Sequence, residues 1–165
     1  FAWVVAIVGA LAIWPLVRIG RVAAVRQREC APRVTALSGL AIFDGASRPT
    51  LERNAAALVE EQLPVDTVVV GQGEPADDLF ISRAGALTVT RDGLGVGAIG
   101  PDDWFGEIGL LEQRPRTATV TTSEPTTVWR IPGTVFLDAL DDAGAAPSAL
   151  VDAMADRLAT HQPAD

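Results

Sequence analysis

The chain has 165 residues, with 21 Asp and Glu against 13 Arg, no Lys, one His and one Cys, for a net charge of −8. That acidity excludes a nucleic-acid-binding role, which needs a basic face. A lone Cys30 excludes an internal disulfide, and with only His161 beside it there is no His/Cys metal cluster.

The chain opens on an uncharged stretch, Phe1 to Val17, FAWVVAIVGALAIWPLV. As a helix it would measure about 25 Å, a little short of the roughly 30 Å hydrocarbon core of a bilayer. The first residue is Phe rather than Met, as expected of a piece cut from a longer polypeptide, whose upstream residues would supply the missing turn. No polar face marks it as a core helix. The basic residues follow the apolar run, the reverse of a signal peptide. Residues 1–17 therefore read as a transmembrane helix, with Trp3 and Trp14 suited to its interfaces.

Arg18, Arg21, Arg26, Arg28 and Arg33, against Glu29, give residues 18–33 a local charge of +4, whereas everything from Val34 onward sums to −12. This is a basic juxtamembrane linker, and by the positive-inside rule it lies in the cytoplasm with all that follows. The expected location is the cell membrane, with a cytosolic C-terminal domain over 34–160 and a tail over 161–165. Pro32 is expected to break any helix continuing from the membrane.

Val34 to Leu40, with Ile42 and Phe43, reads as a short apolar helix and turn. Ser47-Arg48-Pro49-Thr50 signals a helix start, and a helix is expected over Leu51 to Glu61, ended by Pro64. Short strands then recur between Gly and Asp turns: Thr67–Val70, Leu79–Arg83, Ala86–Thr90, Val96–Ile99, Ala118–Thr122 and Thr127–Ile131. Asp92-Gly93 is a hairpin turn. Helices are expected over Thr134 to Leu140 and Ser148 to Thr160, the latter with Leu150, Val151, Met154 and Leu158 as its apolar stripe. The fold class is mainly β, a jelly roll or sandwich with flanking helices.

The most informative stretch is Phe105 to Val120, FGEIGLLEQRPRTATV. It sets Glu107 after a glycine at the head of a short apolar run, and Arg116 nine positions on. The planar fork of an arginine can meet two oxygens of a phosphodiester at once. Glu107 can accept a hydrogen bond from a hydroxyl, and Gly106 and Gly109 allow backbone to approach a ligand. This run resembles the phosphate-binding cassette of cyclic-nucleotide-binding domains. Val68-Val69-Val70 with Gly71 to Ile81 resembles that family's first hairpin region, and Gly100-Pro101-Asp102-Asp103-Trp104 its lead into the cassette.

The resemblance implies a jelly roll over about Val34 to Leu140 with a C-terminal lid helix, and cAMP or cGMP as ligand. It places Phe105, Gly106, Glu107, Ile108, Gly109, Leu110, Arg116 and Thr117 at the site, with Glu107 on the ribose 2′-OH and Arg116 on the cyclic phosphate. Thr117 stands where many cAMP-selective members carry Ala, and resembles members that also accept cGMP. The implied role is a regulatory module coupled to an upstream transmembrane domain in the same polypeptide, a transporter of the major-facilitator type. The alternatives are the gating domain of a channel and a ligand-free docking domain of the same fold. No catalytic constellation, metal site or cofactor is read from the sequence, and an enzyme is not expected.

Overall fold

A computed structural model describes residues 30–143. The transmembrane stretch 1–17, most of the basic linker, the helix expected from Ser148 to Thr160 and the tail 161–165 lie outside these residues. Among the described residues no helix is long and apolar enough to cross a membrane.

Two four-stranded antiparallel sheets form a jelly-roll sandwich flanked by helices. The described part of helix α1 covers 30–38, and a 3-10 turn follows at Ala41–Phe43. Helix α2 spans Arg48–Ala57. The strands are β1 (Val59–Leu63), β2 (Val68–Val70), β3 (Asp78–Ala84), β4 (Leu87–Arg91), β5 (Leu94–Ile99), β6 (Trp104–Phe105), β7 (Thr119–Thr122) and β8 (Thr126–Pro132). Helix α3 (Glu107–Leu111) lies between β6 and β7, and helix α4 (Gly133–Ala143) follows β8. One sheet has the order β1-β8-β3-β6 and the other β2-β7-β4-β5.

The middle of the first sheet is buried on both faces at β3, which explains why β3 reads as the unbroken apolar run Leu79-Phe80-Ile81. Phe80, Phe105 and Val128 point inward and meet Val70, Leu87, Ile99 and Val120 of the second sheet. The alternate residues Leu79, Ile81, Trp104, Trp129 and Ile131 point outward beneath the helices, against Leu37, Phe43, Leu51 and Phe136. Phe43 and Phe136 meet edge to face, with centroids 6.1 Å apart, and so join the 3-10 turn to α4.

Several sequence expectations are corrected here. Pro32 lies in the first described turn of α1, and whether it interrupts a helix from the membrane falls outside the described residues. Leu37 is wholly buried and Val34 and Ala36 pack against the same core, which holds α1 to the sandwich. Helix α2 starts where expected, with Ser47 capping Thr50 N at 3.3 Å. It ends at Ala57, however, and Val59–Leu63 becomes an edge strand rather than the last helical turn. Residues Val59 to Leu63 pair in register with Arg130 to Thr126, and Glu60 accepts a hydrogen bond from Trp129 Nε1 at 2.8 Å. Pairing across the sheet thus overrides the helical pattern of Glu60 and Glu61.

Strands β2 and β3 are not a hairpin, because β2 pairs with β7 and β3 with β6 and β8. Asp92-Gly93 does turn the β4–β5 hairpin, with φ of 51° and 79° as a type I′ turn requires. Gln72 clasps this turn by accepting from Asp92 N at 2.8 Å and donating to Asp92 Oδ1 at 2.7 Å.

Candidate ligand-binding site

Glu107 and Arg116 come from different segments and are both buried, with 6 % and 7 % of their surface exposed. The two-residue strand β6 ends at Phe105, which stacks on Phe80 with ring centroids 5.1 Å apart. Gly106 then turns the chain at φ 93°, and Glu107 is the first residue of α3. Arg116 Nη1 donates to Gly106 O at 2.8 Å, and its Nη2 donates to Asp78 O at 2.8 Å. The guanidinium thereby ties the start of the cassette helix to the start of β3. It sits 5.7 Å from the centroid of the Phe80 ring.

The backbone of Arg116 is held as firmly as its side chain. Its N–H donates to Glu74 O at 2.8 Å, and its carbonyl accepts from Gly73 N at 2.9 Å. The 71–74 turn is closed in turn by Gly71 N donating to Glu74 Oε2 at 2.9 Å. Burial pulls the Arg116 pKa below its ordinary value, and Asp78, Asp77, Glu107 and Glu74 act against that fall. The cation is therefore surrounded by carboxylates that favour its charged form.

The two cassette glycines are both tightly enclosed by other parts of the chain. A Cβ on Gly106 would lie 2.5 Å from Arg116 Nη1, and one on Gly109 would lie 2.6 Å from the Ala76 side chain. In both places the missing side chain makes room for protein. Among the other expected residues, Phe105 belongs to the core between the sheets and Leu110 to the core beneath the helices. Ile108 is half-buried. Thr117 is also half-buried, and its carbonyl accepts from Arg91 Nε at 3.2 Å. A cavity of about 490 Å³ opens between the β2–β3 loop, α3 and the start of α4, with Ala76, Gly109, Leu110, Pro115 and Leu137 in its wall.

Residues 60–143 match the family model of the cyclic nucleotide-binding domain. The chain belongs to that family. It is 32 % identical over 135 residues to a cAMP-dependent protein kinase regulatory subunit of Emericella nidulans, covering 71 % of this chain and 32 % of the relative. A regulatory subunit of Yarrowia lipolytica is 31 % identical over 86 residues, covering 52 % of this chain and 23 % of the relative. The chain thus spans a third or less of each of these two relatives. These relatives are regulatory subunits of a kinase.

Solved structures share the cyclic nucleotide-binding fold. The regulatory domain of Toxoplasma gondii protein kinase A with cAMP superposes with a TM-score of 0.69 at 22 % identity, covering 79 % of this chain and 51 % of the other. The regulatory subunit of a cAMP-independent protein kinase A from Trypanosoma brucei superposes with a TM-score of 0.67 at 18 % identity, covering 84 % and 48 %.

What sequence reasoning missed is the support around Arg116. Asp78 contributes a backbone carbonyl to the guanidinium, which no residue-type motif records. Asp77 O accepts from Gly133 N at 2.7 Å and so anchors the start of α4 beside the same strand. The available signal was three acids, Glu74, Asp77 and Asp78, within five residues of a cassette-bearing chain. Among the described residues no group of His, Cys, Asp and Glu is arranged to hold a metal ion.

Proposed function

We propose that the chain is a regulatory module that binds a cyclic mononucleotide, cAMP or cGMP, and couples binding to an upstream membrane domain of the same polypeptide. The observation that carries this reading is the placement of Arg116, buried and bonded to the carbonyl that immediately precedes Glu107. Two of the guanidinium's five N–H groups serve Gly106 and Asp78, which leaves Nε–H and one N–H on each terminal nitrogen for a phosphate. Glu107 would then take the ribose hydroxyl. The cAMP-dependent kinase regulatory subunits among the relatives support the same ligand class. Calorimetry on the full chain with cAMP and cGMP tests the reading. Heat of binding with a raised melting temperature is expected, and neither at millimolar ligand would remove it.

A ligand-free docking domain is the second reading. It is favoured by the carbonyl partners that Arg116 already has. It expects no melting shift with any cyclic nucleotide.

The membrane host is a transporter of the major-facilitator type in this proposal, with a channel as the alternative. The arginines after Val17 set the orientation. A protease added outside intact cells should spare the domain, and one added to inverted vesicles should cleave it. Cleavage from outside would reverse the topology. Ligand could influence the membrane part only by preferring one of its conformations.

Base preference rests on Thr117. Its hydroxyl could bridge the phosphate and the 2-amino group of a syn guanine, and adenine has no amine on that edge. Both nucleotides should bind, and Thr117→Ala should weaken cGMP about three- to tenfold more than cAMP. Equal losses would confine Thr117 to the phosphate.

A further inference from the structure

Arg130 is a charged residue in an apolar row of the sandwich. It stands in register with Val59 on β1 and Phe80 on β3, neither of which can pair with a cation's charge through an ion pair. Its partners are the diagonal neighbours, two residues away on each side. Glu61 on β1 lies opposite Val128, and Asp78 on β3 lies opposite Pro132. Arg130 Nε meets Glu61 Oε1 at 2.7 Å and its Nη1 meets Asp78 Oδ2 at 3.3 Å. A line of acid, base and acid therefore crosses three adjacent strands, on the face where Phe80 and Val128 enter the core between the sheets.

The line ends on the residue that holds Arg116. The Asp78 carboxylate belongs to Arg130, while the Asp78 carbonyl belongs to Arg116 Nη2, 2.8 Å away. The ring of Phe80, in register with Arg130, lies beneath the Arg116 guanidinium. Asp78 is the first residue of β3, where strand pairing alone constrains the peptide least. Arg130 adds a side-chain restraint to the pairing of Asp78 with Pro132. It also neutralises a carboxylate that would otherwise oppose an incoming phosphate anion, in a neighbourhood that already holds Asp77, Glu74 and Glu107.

We propose that Arg130 is a positioning residue of the nucleotide site: it clamps Asp78, and through the Asp78 carbonyl it sets the orientation of Arg116 towards the phosphate. This rests on the cyclic-nucleotide reading and extends it to a residue outside the cassette.

The test uses four forms of the full chain: wild type, Arg130→Gln, Asp78→Asn and the double variant, with Arg130→Lys as the conservative replacement. Asp78→Asn keeps the carbonyl and removes the charge. Arg130→Gln should weaken cAMP and cGMP alike by about three- to tenfold, and Arg130→Lys should recover most of that loss. In the Asp78→Asn background the same Arg130→Gln change should cost less than about twofold, because the effect travels through Asp78. An equal loss in both backgrounds, or no loss in wild type, overturns the proposal. A second readout needs no ligand. The side-chain Nε–H resonance of Arg116 should shift and broaden in Arg130→Gln and return towards its wild-type position in Arg130→Lys. Should the wild-type chain bind neither nucleotide, the cyclic-nucleotide reading fails on its own, and an unchanged Arg116 resonance then overturns the clamp separately.

Discussion

Replacing Arg116 with alanine should cost about 2–5 kcal/mol of cyclic-nucleotide binding, or roughly 30- to 4,000-fold in Kd. The estimate follows from breaking a buried charge contact with a phosphate. It is accompanied by a loss of stability, because Gly106 O and Asp78 O lose their guanidinium partner in a half-buried setting. The two effects are separable. Arg116→Lys keeps one positive charge and can serve one carbonyl, but it cannot present a planar fork. It should recover stability more fully than affinity. Glu107→Ala removes a hydrogen bond to a neutral hydroxyl and should cost less, about 1–3 kcal/mol. Titration of each variant by calorimetry, beside its unfolding curve, checks the order. A greater binding loss for Glu107→Ala than for Arg116→Ala would exchange their roles.

The parts of this molecule that could be read from sequence are those whose signal is local. Asp92-Gly93 marks its hairpin because the turn itself demands positive φ at two successive residues. Ser47 and Pro49 mark the start of α2 because capping and a missing N–H are properties of a few adjacent residues. Glu60 and Glu61 misled, since two acids after an alanine-rich helix continue its pattern, and only β8, almost seventy residues later in the chain, recruits them into a sheet. The two residues of β6 carry no period at all.

The same division holds at the site. Glu107 and Arg116 are legible because the glycine before the acid and the fixed spacing to the arginine belong to one continuous run. Asp78 and Arg130 are not, because one acts through its backbone oxygen and the other through a side chain 52 positions away. The role of Gly106 was legible only in part. The sequence announces a permissive backbone, but whether a ligand or an arginine fills the vacant Cβ position depends on where the chain returns.

That vacancy makes Gly106→Ala the second substitution with a large expected effect. Two costs arise at one atom. An alanine at φ 93° enters a left-handed conformation, at about 1–2 kcal/mol. Its Cβ would also stand 2.5 Å from Arg116 Nη1 and 3.1 Å from Asp78 O, so the guanidinium must leave its carbonyls. Overpacking of this kind costs about 1–3 kcal/mol. The total should be about 2–5 kcal/mol of stability, and the displaced Arg116 should weaken nucleotide binding as well. Gly106→Asn separates the contributions. Asparagine tolerates the left-handed region but still carries a Cβ, so it should regain the backbone part and not the rest. In the Arg116→Ala background the nearest obstructing group is gone, and Gly106→Ala should then cost the backbone part and only the milder contact with Asp78 O. Denaturant unfolding of the four proteins in this cycle measures the difference directly. Strictly additive losses would mean that Gly106 serves the turn alone and that its closeness to Arg116 has no energetic consequence.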